Sequence, residues 1–313
     1  FPAKTSIEID IAGRGAVPGG ATAVIVNLTT VGATAPGHAT VYPCTTAVPT
    51  ASTVNYRPGG VDPNEVIAKL SPRGSICVYT HAATHLIVDV VGYVGDDSPY
   101  TSIEPLRYAD SRPQPTFDDH FRATGPRGGG TVWKIPIAGR GPIPGDAVAA
   151  VLNVTAVAPN APGHFTIYPC TSKVPLASSL NVTTGQVRPN EVIARLSSTG
   201  HVCVFTHATS HVVIDAVGFL RSTAGYTALE PLRFADSRPQ PTFDDRFRAT
   251  GVRADGTVWK IPVAGRGPVP GDATTATINV TAVAPDANGH ITVYPCTSKI
   301  PNASSLNYTA GDV

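Results

Sequence analysis

Three cysteines fix how this chain is divided. Cys44, Cys170 and Cys296 stand at one interval, since 170 − 44 and 296 − 170 are both 126. The same shift carries Gly13-Arg14-Gly15 onto Gly139-Arg140-Gly141 and Gly265-Arg266-Gly267, and His38 onto His164 and His290. Thr131–Pro136 returns as Thr257–Pro262, and Ala109–Pro115 as Ala235–Pro241, with no insertion or deletion. A period this long exceeds the ~20–50 residues of a solenoid repeat and matches a whole domain. The chain is therefore expected to be a tandem array of near-identical units.

The copies differ most at Gly95–Pro99 against Arg221–Gly225, where little packing is expected to constrain a linker. Boundaries near 96–99 and 222–225 give units over 1–95, 100–221 and 226–313, of which only 100–221 holds a whole period. The first unit lacks a counterpart of Tyr100–Pro126, and the third lacks one of Arg188–Gly225. With no Met in the chain, a processed or partial chain is expected, its array continuing beyond both ends. The alternative, completion of the last unit by a neighbouring chain, needs more than one donated strand.

No segment keeps a 3.6-residue apolar rhythm. Short β-branched runs alternate with Gly, Pro, Asn and Asp clusters, which predicts an all-β sandwich or barrel. In the middle unit strands are expected near 102–108, 131–138, 147–157, 163–169, 178–184, 191–197, 201–206 and 210–219. The breaks fall at Gly139–Pro142, Pro144–Asp146, Pro159–Gly163, Thr184-Gly185 and Ser198–Gly200, which supply positive φ or a pre-bent Pro. Eight strands suit a two-sheet sandwich, jelly-roll-like or immunoglobulin-like.

Composition narrows the partners. Hydrophobic residues at 42% can bury a core, while charged residues at 14%, with Lys+Arg 23 against Asp+Glu 22, offer no basic face. Nucleic acid and anionic membrane surfaces are thus unexpected partners. No apolar run approaches the ~18 residues of a membrane span, and neither a signal peptide nor a lipidation motif is recognisable.

Cys44 and Cys77 lie 33 apart, as do Cys170 and Cys203. Each sits in a strand-like run, where a cross-sheet disulfide fits, and Cys296 would find its partner outside the chain. Such bonds imply an oxidising, extracellular or cell-surface setting. With His81 and His85 the cysteines also imitate a Cys2His2 metal site, repeated at His207 and His211. Residues four apart on a strand lie ~13 Å apart, so a disulfide followed by a hairpin over Thr80–Thr84 is the preferred reading, without metal or cofactor.

The combination Asn153–Val157, Tyr168-Pro169-Cys170, Ser179-Leu180-Asn181, Pro189–Ala194, Cys203–Thr206 and Val213–Phe219 resembles a repeat domain of secreted and wall-associated actinobacterial proteins. In that domain a leucine-rich Asp-Thr-Arg segment opens the unit. Leu106–Arg112 resembles it, with Ser111 in place of the Thr. The resemblance spans essentially the whole chain and implies an extracellular structural or accessory module with no catalytic residues.

Alternation in Ile87–Tyr93 puts Asp89 on the face of Ile87, Val91 and Tyr93, and Asp215 repeats it. If that face is the core, each carboxylate needs a donor. Arg107 and Arg112, repeated as Arg233 and Arg238, are the natural ones, forming a structural clasp between first and last strands. Asp110, Asp118 and Asp119 lack the spacing of a calcium loop and read as exposed acids on a Pro-bearing loop. His38, His164 and His290 follow a Gly at a turn and stand beside no nucleophile signature. Arg14, Arg140 and Arg266 sit in turns and match no phosphate motif. Asn27, Asn153, Asn181, Asn279, Asn302 and Asn307 open Asn-X-Ser/Thr sequons, many of them inside apolar strands where strand propensity explains the Thr.

An enzyme is not expected. The favoured function is an extracellular structural repeat protein that forms or extends a surface fibre, stalk or filament, its partner being the neighbouring unit or subunit. The second reading is adhesion to cell-wall or host polysaccharide through Trp133 and Trp259, weakened by Ile7 at the same place in the first unit.

Overall fold

The computed structural model describes every residue except 45–46, 172, 222–224, 297–298, 302–304 and 312–313. The second linker (222–224) and the sequon at Asn302 therefore lie outside the described residues. The described residues form strands and turns without helices, so no helix is long and apolar enough to cross a membrane.

The first unit contributes β1 (Thr5–Asp10), β2 (Ala23–Val31), β3 (Gly37–Tyr42), β4 (Val54–Tyr56), β5 (Val61–Lys69), β6 (Ser75–Thr80) and β7 (His85–Val94). The second contributes β8 (Tyr100–Asp110), β9 (Thr131–Pro136), β10 (Ala149–Val157), β11 (Gly163–Tyr168), β12 (Leu180–Val182), β13 (Val187–Arg195), β14 (His201–Thr206) and β15 (His211–Leu220). In the third, β16 (Gly289–Ile291) pairs with β17 (Leu306–Tyr308).

The second unit is a sandwich of two four-stranded antiparallel sheets, ordered β13-β10-β15-β8 and β12-β11-β14-β9. Counting its strands from one to eight, the orders are 6-3-8-1 and 5-4-7-2, the double-sheet wrapping of a jelly roll. The first unit repeats this as β1-β6-β3-β4 facing β5-β2-β7, and among the described residues β7 pairs with β2 alone. All eight strands expected in the middle unit are present. The tandem β-sandwich architecture read from the period is the architecture observed.

Each sandwich closes over its own core: Tyr108, Ile135, Leu152, Val154, Phe165, Val204 and Ile214 in the second unit, and Val24, Val26, Leu28, Val41, Ile76 and Val78 in the first. β10 is buried almost throughout, which one core cannot explain in an alternating strand. Leu152 and Val154 face their own core, whereas Val151 joins a separate cluster with Ala23, Ile67 and Val94 of the preceding unit. Both faces of that sheet are therefore covered.

The disulfides Cys44–Cys77 and Cys170–Cys203 are formed, with Cα–Cα distances of 5.0 and 4.8 Å. They link neighbouring strands of one sheet rather than two sheets. Cys170 lies two residues past the end of β11, and β11 is the ladder partner of β14, with Tyr168 opposite Cys203. Cys296 lies exposed with its thiol free. At the β13–β14 turn Gly200 has φ +73°, and a Cβ there would stand 2.7 Å from the Ala138 side chain, so two demands fall on one residue.

Candidate functional site

The most elaborate polar arrangement is the joint between successive units. Arg107 on β8 donates from Nη2 to the Thr50 carbonyl of the first unit at 2.9 Å. Asn153 on β10 donates to the Ser52 carbonyl, and Asn64 on β5 reaches forward to Asn153 Oδ1 at 3.2 Å while also holding Thr53 O at 2.8 Å.

The joint between the second and third units uses the same contacts, each shifted by 126. Arg233 donates to Leu176 O at 2.7 Å, and Asn279 donates to Ser178 O at 2.8 Å. Asn190 reaches Asn279 Oδ1 at 3.4 Å and Ser179 O at 2.7 Å. The sequence Pro-Asn-Glu at 63–65 and 189–191 is thereby explained. Its Asn binds the following unit in both copies, and Glu191 binds the preceding one.

That Glu is Glu191, whose Oε1 accepts the Ile67 amide across the joint at 2.9 Å. Ile67 lies on β5, the free edge of its sheet, so the carboxyl caps an edge amide that no strand covers. Oε2 is buried and finds no partner among the described residues. Burial is the main cause that pushes the Glu191 carboxyl up to about 8; the Glu65 charge adds to it and the Ile67 amide opposes it. Around this group Ala23, Ile67 and Val94 meet Val151 and Val217, with Ile25, Tyr100 and Ile193 at the rim.

The clasp residues meet here as well. Arg107 Nε donates to Asp215 Oδ1 at 2.9 Å and Nη2 to Oδ2 at 3.3 Å, the carboxylate being wholly buried. Burial raises the Asp215 carboxyl above its usual range, against the pull of Arg107. The face holding Asp215 is not the sandwich core; it is the outer face of the sheet, covered by the preceding unit. Arg112 does not reach Asp215 and instead grips Asp110 through Nε at 2.9 Å and Nη2 at 2.8 Å. Arg233 and Arg238 likewise converge on Asp236. Asp89 pairs with Asn27 in the β2–β7 ladder, and no ion pair joins it to an arginine among the described residues.

The histidines form pairs that spacing did not suggest. His81 stacks on His38 at 5.2 Å between ring centroids, and His207 on His164 at 5.1 Å. Burial, then the neighbouring imidazole, then Arg107 or Arg233 of the next unit hold His38 and His164 below their ordinary value. Cys77 and Cys203 are consumed in disulfides, so the Cys2His2 arrangement does not assemble. His211 Nδ1 instead lies 2.9 Å from Ser111 Oγ.

The acids of the Pro-bearing loop are held by arginines. Asp118 binds Arg140 through both oxygens at 2.9 and 2.7 Å, and Asp119 binds Arg122 at 2.6 Å. Arg140, the middle residue of Gly-Arg-Gly, lies about 5 Å from the rings of Tyr108, Phe117 and Phe121. Arg266 repeats this cage with Asp244, Phe234, Phe243 and Phe247. Trp133 is buried beneath Arg127, with the guanidinium 5.0 Å from the ring, and presents no open platform for a sugar. Asn153 is likewise buried, which removes it as a glycan acceptor in the assembled chain.

Comparison with family models, curated proteins and solved structures found no match to this chain.

Proposed function

We propose that this chain is part of an extracellular structural repeat protein whose units stack into a stiff rod, giving length to a surface fibre or stalk. The observation that carries the reading is the identity of the two joints: Arg107–Thr50, Asn153–Ser52 and Asn64–Asn153 recur as Arg233–Leu176, Asn279–Ser178 and Asn190–Asn279. Each joint presses one face of a unit against a different face of the next. A head-to-tail contact repeated with one geometry grows without closing unless its rotation happens to make a ring. Formed disulfides support a setting outside the reducing cytosol. No catalytic role is part of the proposal, and the likeness to actinobacterial wall-associated repeats is consistent with it.

Solution scattering on proteins of two, four and six units tests it. The expected result is a maximum dimension proportional to unit number at constant cross-section. Growth as the square root of unit number, as for beads on flexible linkers, would overturn the rod.

A further inference from the structure

Each histidine pair sits on the outer face of a sheet. Ala39 and Val41 of β3 face the core of the first unit, so alternation turns His38 outward. Ala39 lies opposite Thr80 in the ladder, and one step on the His81 amide donates to the His38 carbonyl at 2.9 Å. His38 and His81 therefore stand directly across from each other, the arrangement in which cross-strand side chains meet. The second unit repeats it: Phe165 lies opposite Thr206, and His207 N donates to His164 O at 2.9 Å. Gly163 leaves room for the His207 ring, since a Cβ there would stand 2.9 Å from its Nδ1.

The spacing of the rings is that of two ligands on one ion. Their centroids are 5.2 Å apart in the first pair and 5.1 Å in the second. An imidazole nitrogen binds zinc at about 2.0–2.1 Å, which sets each ring centre about 3.2 Å from the ion and two rings at a tetrahedral angle about 5.2 Å apart. His81 and His207 are exposed, so their rings are free to turn a lone pair toward the partner's. His38 and His164 are half-buried and held below their ordinary value, which keeps them neutral and able to ligate at pH 7.

The protein supplies two ligands to each site. The cysteines are spent in disulfides, and His85 and His211 lie on β7 and β15 of the other sheet. Among the described residues no third His, Cys, Asp or Glu joins either pair. Two imidazoles without a carboxylate suit a borderline transition ion and not Ca²⁺ or Mg²⁺, which take oxygen.

We propose that His38–His81 and His164–His207 are two-histidine sites for a divalent transition ion of the Zn²⁺ type, one on the outer face of each of these units, with water completing the coordination. The ion clips β3 to the turn after β6, and β11 to the turn after β14. Arg107 and Arg233 of the following unit act on His38 and His164. Their charge is matched by Asp215 and Asp110 in one joint and by Asp236 in the other, so the ion meets no bare guanidinium.

Calorimetric titration of the 313-residue chain with Zn²⁺, against Ca²⁺ as control, tests the proposal. His81→Gln and His207→Gln alter exposed rings, and circular dichroism is expected to show the strands retained. Each variant is expected to take up one Zn²⁺ fewer than the parent chain and the double variant two fewer, while Ca²⁺ is not bound. Zn²⁺ held elsewhere, as on the free Cys296 thiol, is common to all these proteins and cancels in the comparison. Zn²⁺ should also raise the melting temperature of the parent chain more than that of the double variant. Zn²⁺ uptake indifferent to both substitutions overturns the proposal. A doubling of mass in sedimentation, with one ion shared between two chains, also overturns it, because the exposed imidazoles then bridge separate molecules.

Discussion

Arg107 closes on Asp215 at 2.9 Å within the second unit while another of its nitrogens donates to Thr50 O of the first. One guanidinium thus ties a unit's opening strand to its closing strand and both to the preceding unit. The carboxylate is fully buried and the guanidinium nearly so, at 0% and 8% exposure. Arg107 also reaches Asp110 at 3.3 Å, a carboxylate it shares with Arg112, so loss of Asp215 leaves two guanidiniums on one carboxylate beside the joint.

Asp215→Ala is expected to destabilise the chain by about 3–5 kcal/mol, the usual cost of breaking a buried pair from one side. Asp89→Ala, the same residue in a unit whose clasp is incomplete, should stay within about 0.5 kcal/mol. Urea denaturation of the two variants at low protein concentration makes the comparison. Equal losses would show that the clasp contributes nothing beyond the aspartate itself.

Glu191 should make the first joint sensitive to alkali. Its carboxyl is pushed up from 4.5 to about 8, so the folded joint holds a proton that the unfolded chain releases. The contribution is complete below pH 4.5 and is lost as pH rises through about 8, with a slope of at most ~1.4 kcal/mol per pH unit. Glu191→Gln keeps an acceptor for the Ile67 amide and should abolish that slope. Melting temperatures measured between pH 5 and 9 for both proteins check it.

The histidine pairs work from the other side of neutrality. His38 and His164 are held below 6.5 in the folded chain, so the unfolded chain binds protons first. Stability is full above pH 6.5 and falls as pH drops from there through the lower folded values. His38→Gln with His164→Gln should flatten the acid limb between pH 6.5 and 5 and leave the alkaline limb unchanged. An unaltered acid limb would mean that other groups carry it.

Arg140→Lys is expected to cost about 1–3 kcal/mol although the charge is kept. A lysine cannot span both oxygens of Asp118 and also lie flat among three aromatic rings. Hydrogen exchange should then rise across 111–125, the loop that the guanidinium pins, while β13 amides keep their protection. Uniform deprotection of the unit would instead make Arg140 a global core residue.

Periodicity told much about the units and little about what joins them. The middle unit's strands were legible because turn residues such as Gly139, Gly185 and Gly200 bracket runs of clear alternation. The side of the sheet on which Asp215 lies was not. Alternation marks two faces, and here the outer face is as apolar as the inner because another unit covers it; Val151 and Leu152 are equally buried for different reasons. The Asn153–Asn64 contact and the Arg140 cage were hidden too, because every residue of a near-perfect repeat recurs and recurrence therefore singles out none. One signal was available: Arg140 and Asp118 keep their interval of 22 in Arg266 and Asp244, together with the surrounding aromatic positions.

The ladder between β8 and β15 has a mechanical consequence. Tyr100, where the chain comes into the unit, sits opposite Leu220, where it leaves. Tension along the backbone therefore arrives at one end of an antiparallel pair and peels it rung by rung rather than shearing all rungs together. Peeling meets Tyr100, Thr101 and Ser102 before it reaches Arg107 on Asp215, so the first buried charged lock under load is the one that also grips the preceding unit. The segment between Cys170 and Cys203, 33 positions apart, lies beyond that lock and is closed to extension whatever the force does to the fold.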